Sequence, residues 1–169
     1  EVVTDNERAT KARKMVLELL LADQPERRDA HDPDSLFWHW ADKAGISESR
    51  FEARPTCPAP DRSHTAMAVN LDACIQCNLC VRACREVQVN DVIGMANRGH
   101  KSQIVFDMND PMGDSTCVAC GECVQACPTG ALMPAAQVDE QGFGDSAAVD
   151  ERVASICPYC GVGCQPEYQ

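Results

Sequence analysis

Cysteine is the residue type with the clearest chemistry in this chain of 169 residues, which contains 12 of them. None occurs before Cys57, and eleven fall in three tight groups between Cys74 and Cys164. Twelve cysteines in a secreted chain would favour disulfides. The thiols of closely spaced C-x2-C repeats are too close for easy disulfide formation with each other but are well placed to bind a metal centre. The spacing therefore indicates metal ligation in a reducing compartment.

Two of the three groups are copies of one pattern, C-x2-C-x2-C-x3-C, and the second copy closes on Cys127-Pro128. In this pattern the first three thiolates bind one [4Fe-4S] cluster, and the fourth lies on the following short helix and binds the other cluster. The predicted ligands are Cys74, Cys77, Cys80 and Cys127 for cluster one, and Cys117, Cys120, Cys123 and Cys84 for cluster two.

Zinc is the main alternative, since paired C-x2-C motifs also build structural zinc sites. One zinc ion needs only four ligands, so two C-x2-C pairs would suffice for a single site. Two copies of a four-cysteine run, the second followed by proline, fit iron–sulfur ligation better. A zinc-stabilised scaffold without redox activity would bind zinc but neither iron nor sulfide.

Residues 66–136 resemble a bacterial-type two-cluster ferredoxin domain, down to the stretch Cys127-Pro-Thr-Gly-Ala-Leu132. Arg85 departs from that family, which commonly has proline after the fourth cysteine of the first run. A cation at this position could raise the potential of cluster two, and a surface arginine paired with an acid is an equally weighted alternative. The apolar residues expected to form a dry shell around the clusters are Ile75, Val81, Ile93, Val118, Val124 and Leu132.

The third group, Cys157, Cys160 and Cys164, offers three thiolates, one fewer than a cubane cluster needs. Its sequence, Cys-Pro-Tyr-Cys-Gly-Val-Gly-Cys, closely resembles the opening of the large subunit of molybdenum- or tungsten-pterin oxidoreductases, and especially of formate dehydrogenases. In that family a later fourth cysteine completes a [4Fe-4S] cluster beside the pterin, so the resemblance implies a ligand beyond Gln169. A zinc hook is the alternative.

The stretch from Met15 to Asp23 is similar to a helix of complex I's large peripheral iron–sulfur subunit and of many NAD-linked formate dehydrogenases. There the helix precedes a cluster ligated by one histidine and three cysteines, whereas this chain has Gln24-Pro25 and no cysteine before Cys57. The departure favours a subset of formate dehydrogenase alpha subunits, which also carry a plant-type [2Fe-2S] domain upstream. Both ends look cut, so we expect a piece of a longer subunit.

Together these resemblances imply the iron–sulfur part of the alpha subunit of a cytoplasmic, NAD-dependent molybdenum or tungsten formate dehydrogenase. They imply a third [4Fe-4S] cluster and a Mo/W-bis-pterin guanine dinucleotide in the full subunit, and a partner beta subunit that binds FMN and NAD. No catalytic residue is expected in this segment, which would carry electrons. The alternatives are the iron–sulfur subunit of an NAD-reducing hydrogenase or a complex I homologue, and a free-standing two-cluster ferredoxin.

The elements that position the cysteines begin with a helix from Thr4 to about Ala22, which has apolar residues at helical spacing. Thr4 and Glu7 fit a capping box at its start. A second helix is predicted with Asp32 as N-cap and an end before Gly45. Its apolar side, Phe37, Trp38, Trp40 and Ala41, is expected to pack against a neighbouring domain.

Between the two cysteine runs, Val89–Ala96 and Gln103–Phe106 are predicted strands of a hairpin. The predicted fold class is α+β, a bacterial two-[4Fe-4S] ferredoxin-like domain with a preceding helical segment and a C-terminal cysteine-rich stub. The predicted divisions are a helical linker region at 1–65, the ferredoxin-like domain at 66–136, a connector at 137–156 and the start of the pterin-enzyme cluster domain at 157–169.

The overall composition excludes some function classes. The formal net charge of −11 argues against nucleic-acid binding, which needs a basic face. No apolar run of about 18 residues occurs, and the N-terminus lacks the layout of a secretory signal. Cys57 and His64 stand in a proline-rich loop at 52–65 without spaced partners, and neither is assigned to a metal.

Overall fold

A computed structural model describes residues 2–139, 143–144, 151–158 and 161–168. The helices are α1 (Glu7–Leu21), α2 (Leu36–Ala44), α3 (Leu79–Arg82), which continues into a π-helical turn at Ala83–Val87, and α4 (Glu122–Ala126). The strands are β1 (Met67–Val69), β2 (Ile93–Ala96), β3 (Gln103–Phe106), β4 (Leu132–Pro134), β5 (Val153–Ala154) and β6 (Glu167–Tyr168). The predicted mixture of helices and strands is confirmed.

The strands form three antiparallel pairs: β1 with β4, β2 with β3, and β5 with β6. In the first pair Val69 lies opposite Leu132, and in the second Ile93 lies opposite Phe106. Strand β1 precedes the first cysteine run and β4 follows the second. Their pairing therefore closes the cysteine-bearing segment into one unit.

The main core is a single apolar cluster shared by the first two strand pairs and the cysteine-bearing helices. Its buried members are Met67, Val69, Leu71, Cys80, Val81, Cys84, Val92, Ile93, Ile104, Phe106, Met112, Cys123 and Leu132. Each large apolar side chain buried in this way stabilises the fold by roughly 1.5–3 kcal/mol. Three cysteines of the two repeats thus belong to the core itself.

Helices α1 and α2 share a second apolar cluster, in which Phe37, Trp38 and Ala41 are buried. Ile75 of the first cysteine run packs against this cluster, and the Phe37 N–H donates to the Pro128 carbonyl at 2.9 Å. The predicted apolar side of α2 is therefore packed onto the cysteine-bearing part of the same chain. Trp40 is the exception, since it is 45% exposed.

Both helices start later than predicted. The N-cap of α1 is Asn6, whose side-chain oxygen accepts the Ala9 N–H at 2.8 Å, so the capping box at Thr4 was wrong. Asparagine caps helices at least as well as threonine, and Asn6 lies closer than Thr4 to the first of the regularly spaced apolar residues.

The N-cap of α2 is Ser35, and the prediction of Asp32 at that position was wrong. The Asp32 carboxylate instead accepts the N–H of Asp34 at 3.1 Å, which forms a turn before the helix. The predicted end is confirmed, because Gly45 caps the helix with φ of +66°.

The hairpin between the cysteine runs is confirmed, with β3 at its predicted limits. Strand β2 begins at Ile93, four residues later than predicted. Val89 and Asp91 have left-handed backbones, with φ of 58° and 54°, and the Asn90 N–H donates to the Cys84 carbonyl at 3.0 Å. This segment therefore closes the turn after Cys84 before the strand starts. No helix among the described residues has the length and apolar character needed to cross a membrane.

Asp61 connects the loop before β1 to the core by hydrogen bonds. Its backbone exchanges two hydrogen bonds of 3.0 Å with Val69, and its carboxylate accepts the N–H groups of Met112 at 2.7 Å and Ser63 at 2.8 Å. Burial raises the pKa of this carboxyl, but hydrogen bonds from Ser63 and Met112 and the nearby Arg62 charge outweigh burial and lower it overall.

Asp61→Ala is expected to lower the free energy of unfolding of the iron-loaded chain by about 1–3 kcal/mol, since the partly buried Met112 N–H and the exposed Ser63 N–H both lose their acceptor. A lowered pKa contributes stability above the unfolded value of 3.8, which is lost as the pH falls through the folded pKa. The urea midpoint of the variant should therefore lie below that of the unmodified chain by the same amount at every pH from about 5 to about 8. Asp114→Ala, at an exposed carboxylate nearby, is the control, and equal effects of both variants would contradict the prediction.

Candidate metal centres

The two cysteine runs have the same unusual backbone. Gln76 and Ala119, each two residues after the first cysteine, both have φ of 57°. Asn78 and Gly121, each directly after the second cysteine, have φ of 66° and 76°. Glycine and asparagine tolerate this left-handed region, whereas glutamine and alanine are strained there by about 1–2 kcal/mol. The same strained backbone conformation at matching positions indicates that the two cysteine runs form sites of the same shape.

Backbone N–H groups in these loops turn toward sulfur. The Gln76 N–H donates to Cys74 Sγ at 3.4 Å, and the Ala119 N–H donates to Cys117 Sγ at 3.5 Å. Hydrogen bonds to sulfur favour the thiolate form and are one of the controls on cluster potential. The loops thus provide the polar groups that a bound anionic centre needs.

The first site is a cavity between the two runs. Its lining includes Cys74, Cys77 and Cys80 from the first run and Cys127 from the second. Ile75, Ile104 and Leu132 complete its apolar walls, and no described residue that lines it carries a formal charge as a carboxylate or a cation. Four thiols from both copies therefore face one dry space.

At the second site, a cysteine of the first run acts together with the cysteines of the second run. Burial, together with the neighbouring Cys117, Cys120 and Cys84, raises the pKa of Cys123 to about 12. Helix α3 packs against α4, which brings the end of the first run next to the second. Cys84, from the first run, is thus close enough to act on the thiols of the second.

The buried thiol of the first site behaves in the same way. Burial, together with the neighbouring Cys74, Cys127, Cys77 and Cys123, raises the pKa of Cys80 to about 12. Without iron both buried thiols are therefore protonated at neutral pH. Because iron binds thiolates, loading either site must displace protons.

The exposure of the cysteines follows the repeat. The second cysteine of each run, Cys77 and Cys120, is exposed, and the third, Cys80 and Cys123, is buried. Among the described residues no three His, Cys, Asp or Glu side chains are spaced to hold a single metal ion. Four thiols lining one site suit a cubane cluster, whose four iron corners each take one thiolate.

Two sequence expectations about the surroundings can be compared with the structure. Arg85 Nε lies 2.6 Å from Asp91 Oδ1, and both side chains are more than half exposed, which favours the surface ion pair over a role at cluster two. Val118 was wrongly placed in the dry shell, because it is 63% exposed. Its counterpart Ile75 is covered by the helical segment, and the described part of the chain provides no such cover over Val118.

The remaining shell residues lie as expected. Val81, Ile93 and Leu132 are buried, and Val124 packs partly buried against the same core.

The third cysteine group lies between β5 and β6. The Cys157 N–H donates to the Cys164 carbonyl at 2.8 Å, so the two ends of the motif lie side by side. Gly161 and Gly163 have φ of 74° and 77°, which allows the sharp return of the chain. Cys160 lies outside the described residues, and the ligand role of Cys157, Cys160 and Cys164 stays a prediction.

Sequence reasoning missed two residues that support the first site. His31 is buried, and its Nε2 lies 2.8 Å from the carboxylate of Asp72, two residues before Cys74. Arg54, from the loop interpreted as a linker, donates from Nη2 to the Asp72 carbonyl at 2.7 Å. Both contacts join residues far apart in sequence, so no local pattern could have revealed them.

Comparison with known families shows which domain contains these cysteines. The sequence profile described as the 4Fe-4S dicluster domain matches residues 73–131. Residues 73–131 form a 4Fe-4S dicluster domain. This iron–sulfur electron-transfer domain contains both cysteine runs, with their loops of matched backbone conformation, and the hairpin between them.

The dicluster domain and its flanks resemble segments of several oxidoreductases. A subunit named NADP-reducing hydrogenase subunit HndD, from Solidesulfovibrio fructosivorans, is 34% identical over 138 residues, 78% of this chain and 23% of that protein. A Staphylococcus haemolyticus protein, whose name assigns it provisionally to the formate dehydrogenases, is 29% identical over 80% of this chain and 17% of its own length. An oxidoreductase-like protein of Bacillus subtilis is 30% identical over 62% of this chain and 14% of its own.

A solved structure supports the same relationship. The crystal structure of an NAD+-reducing [NiFe]-hydrogenase in the H2-reduced state matches with a TM-score of 0.72 and 27% identity, over 79% of this chain and 58% of that one. The chain spans less than a quarter of the length of the three curated relatives. The similarity therefore concerns an iron–sulfur segment that occurs in both formate dehydrogenase-like and hydrogenase proteins.

Proposed function

We propose that this chain is the electron-transfer segment of the alpha subunit of an NAD-dependent molybdenum or tungsten formate dehydrogenase. The observation that carries the electron-transfer role is the cavity into which both cysteine runs project, with Cys127 joining Cys74, Cys77 and Cys80. The motif of Cys157, Cys160 and Cys164, with its resemblance to pterin oxidoreductases, supports the formate dehydrogenase assignment.

Each cysteine set has a definite task in this proposal. Cys74, Cys77, Cys80 and Cys127 hold cluster one, and Cys117, Cys120, Cys123 and Cys84 hold cluster two. When bound, each cluster supplies reversible uptake of one electron. The loop N–H groups at Gln76 and Ala119 stabilise negative charge on sulfur, and the apolar walls exclude water.

The proposal extends to the rest of the enzyme. The remainder of the alpha subunit would carry a third [4Fe-4S] cluster and the Mo/W-bis-pterin guanine dinucleotide, at which formate is oxidised or CO2 is reduced. A beta subunit with FMN and NAD would exchange electrons at the other end. Thiolate ligands need a reducing compartment, which supports the cytoplasm as the location.

A hydrogenase subunit is the second candidate, supported by the 34% identity to the NADP-reducing hydrogenase subunit and by the solved hydrogenase structure. The two candidates differ in substrate and metal. The full-length protein, purified with its partners, should reduce NAD with formate and contain molybdenum or tungsten. NAD reduction with hydrogen and nickel in the preparation would instead support the hydrogenase candidate.

Anaerobic reconstitution with iron and sulfide is expected to load about eight iron atoms and about eight sulfides per chain into the dicluster domain. The product should show broad charge-transfer absorption and, after dithionite reduction, two interacting paramagnetic signals. Cys57→Ser, at an exposed cysteine outside the runs, is the matched control and should load equally. Zinc binding without iron or sulfide would overturn the iron–sulfur proposal.

A further inference from the structure

Arg54 is held next to the first site by groups that carry no charge. Its Nη2 donates to the Asp72 carbonyl at 2.7 Å and to the Asp23 carbonyl at 3.4 Å. Its Nε is buried and has no hydrogen-bond partner among the described residues. The guanidinium therefore cannot swing freely into water, and its position relative to the Cys74 loop is fixed.

The carboxylates nearest to Arg54 bind elsewhere. The Asp23 carboxylate accepts the backbone N–H of Arg54 at 2.7 Å and lies 3.1 Å from His100 Nε2, and the Asp72 carboxylate is bound to His31. No ion pair joins the Arg54 guanidinium to an acid within the part of the chain that the structure describes. A half-buried cation that forms no ion pair is stabilised by a further negative group nearby.

The first site is the negative group within reach. Asp72, whose carbonyl holds the guanidinium, lies two residues before Cys74. Four thiolates with a bound cluster carry net negative charge, which one-electron reduction increases by one.

We propose that Arg54 is the counter-charge of cluster one and raises the reduction potential of that cluster above the value it would otherwise have. The inference rests on the proposed iron–sulfur function. A fixed cation in a partly dry environment stabilises the more negative, reduced form more than the oxidised form. Arg85, which follows the cluster-two ligand Cys84 in the sequence, differs from Arg54 because it is exposed and forms an ion pair with Asp91.

The test is a redox titration of the reconstituted chain, with dithionite as the one-electron donor and electron paramagnetic resonance as the readout. Arg54→Gln keeps a polar amide at this position but removes the charge. One of the two midpoint potentials should shift to more negative values, while Arg54→Lys keeps it close to that of the unmodified chain. Arg85→Gln is the control, and it should shift neither potential.

Cys77→Ser identifies which signal belongs to cluster one, since it changes that cluster's ligand alone. Should Arg54→Gln fail to hold two clusters, Asp23→Asn provides an independent measurement. It keeps an acceptor for the Arg54 N–H, removes a negative charge and should shift the same potential upward. Two intact clusters with unchanged potentials in Arg54→Gln, or in Asp23→Asn, would overturn the inference and leave the proposed function standing. Failure of the unmodified chain to bind clusters would instead overturn the proposed function.

Discussion

A chain in which Cys77 and Cys127 are both replaced by alanine is expected to keep one [4Fe-4S] cluster. A chain in which Cys120 and Cys127 are replaced is expected to keep none. The first pair belongs to a single site when ligation is crossed, so the other site retains all four thiolates. The second pair removes one ligand from each site. The measurement is iron and acid-labile sulfide per chain, with about four of each expected in the first variant and almost none in the second.

Uncrossed ligation would reverse these results, because Cys120 and Cys127 would then share a site. The reciprocal pairs at Cys84 give an internal control: Cys84→Ala with Cys120→Ala should keep one cluster, and Cys84→Ala with Cys77→Ala should keep none. Cys77 and Cys120 are both exposed, so their replacement opens no cavity in the core. The comparison therefore depends on ligation and is little affected by packing.

The cluster pattern could be predicted from sequence because its information is local. Each copy of C-x2-C-x2-C-x3-C places three thiols within one loop. The pattern also implies that the fourth cysteine of each copy binds the cluster held by the other copy. The ligand sets remain a prediction until variants are measured, although the structure brings Cys127 to the cavity of the first run. The limits of β3 and the end of α2 at Gly45 could likewise be predicted from local sequence signals.

The errors arose where two local signals competed. Thr4 and Asn6 are both good helix caps two residues apart, and the structure shows that the Asn6 side chain accepts the Ala9 N–H. Asp32 and Ser35 compete in the same way, and the turn made by the Asp32 carboxylate delays the helix. The repeat also implied equal surroundings for Ile75 and Val118, whereas the helical segment covers Ile75 alone.

Long-range contacts explain what sequence reasoning missed altogether. Arg54 contacts residues 18 and 31 positions away, and His31 contacts Asp72 at a separation of 41. Neither residue belongs to a motif. Both hold the turn before Cys74, so the segment interpreted as a linker is part of the support of the first site.

Gly130→Ala is expected to lower the free energy of unfolding by about 2–5 kcal/mol, for two separate reasons. Gly130 has φ of +77°, where an L side chain is strained. A Cβ there would also lie 2.6 Å from Asp32 Cβ and 3.2 Å from Asp32 N. The Asp32 backbone lies in the turn before α2, so the clash must displace either that turn or the loop that carries Cys127.

Gly45→Ala separates these two effects, since Gly45 has φ of +66° but open space around its Cβ position. It should lower the stability by only about 1–2 kcal/mol, the contribution of the left-handed backbone alone. Thermal unfolding of the iron-loaded chain, followed by the cluster absorption, gives the comparison. Gly130→Ala should also lose cluster one before cluster two, because its displacement reaches Cys127 through Pro128, whose carbonyl accepts the Phe37 N–H at 2.9 Å. Equal losses of stability in the two variants would mean that the contact between the helical segment and the dicluster domain does not hold the Cys127 loop in place.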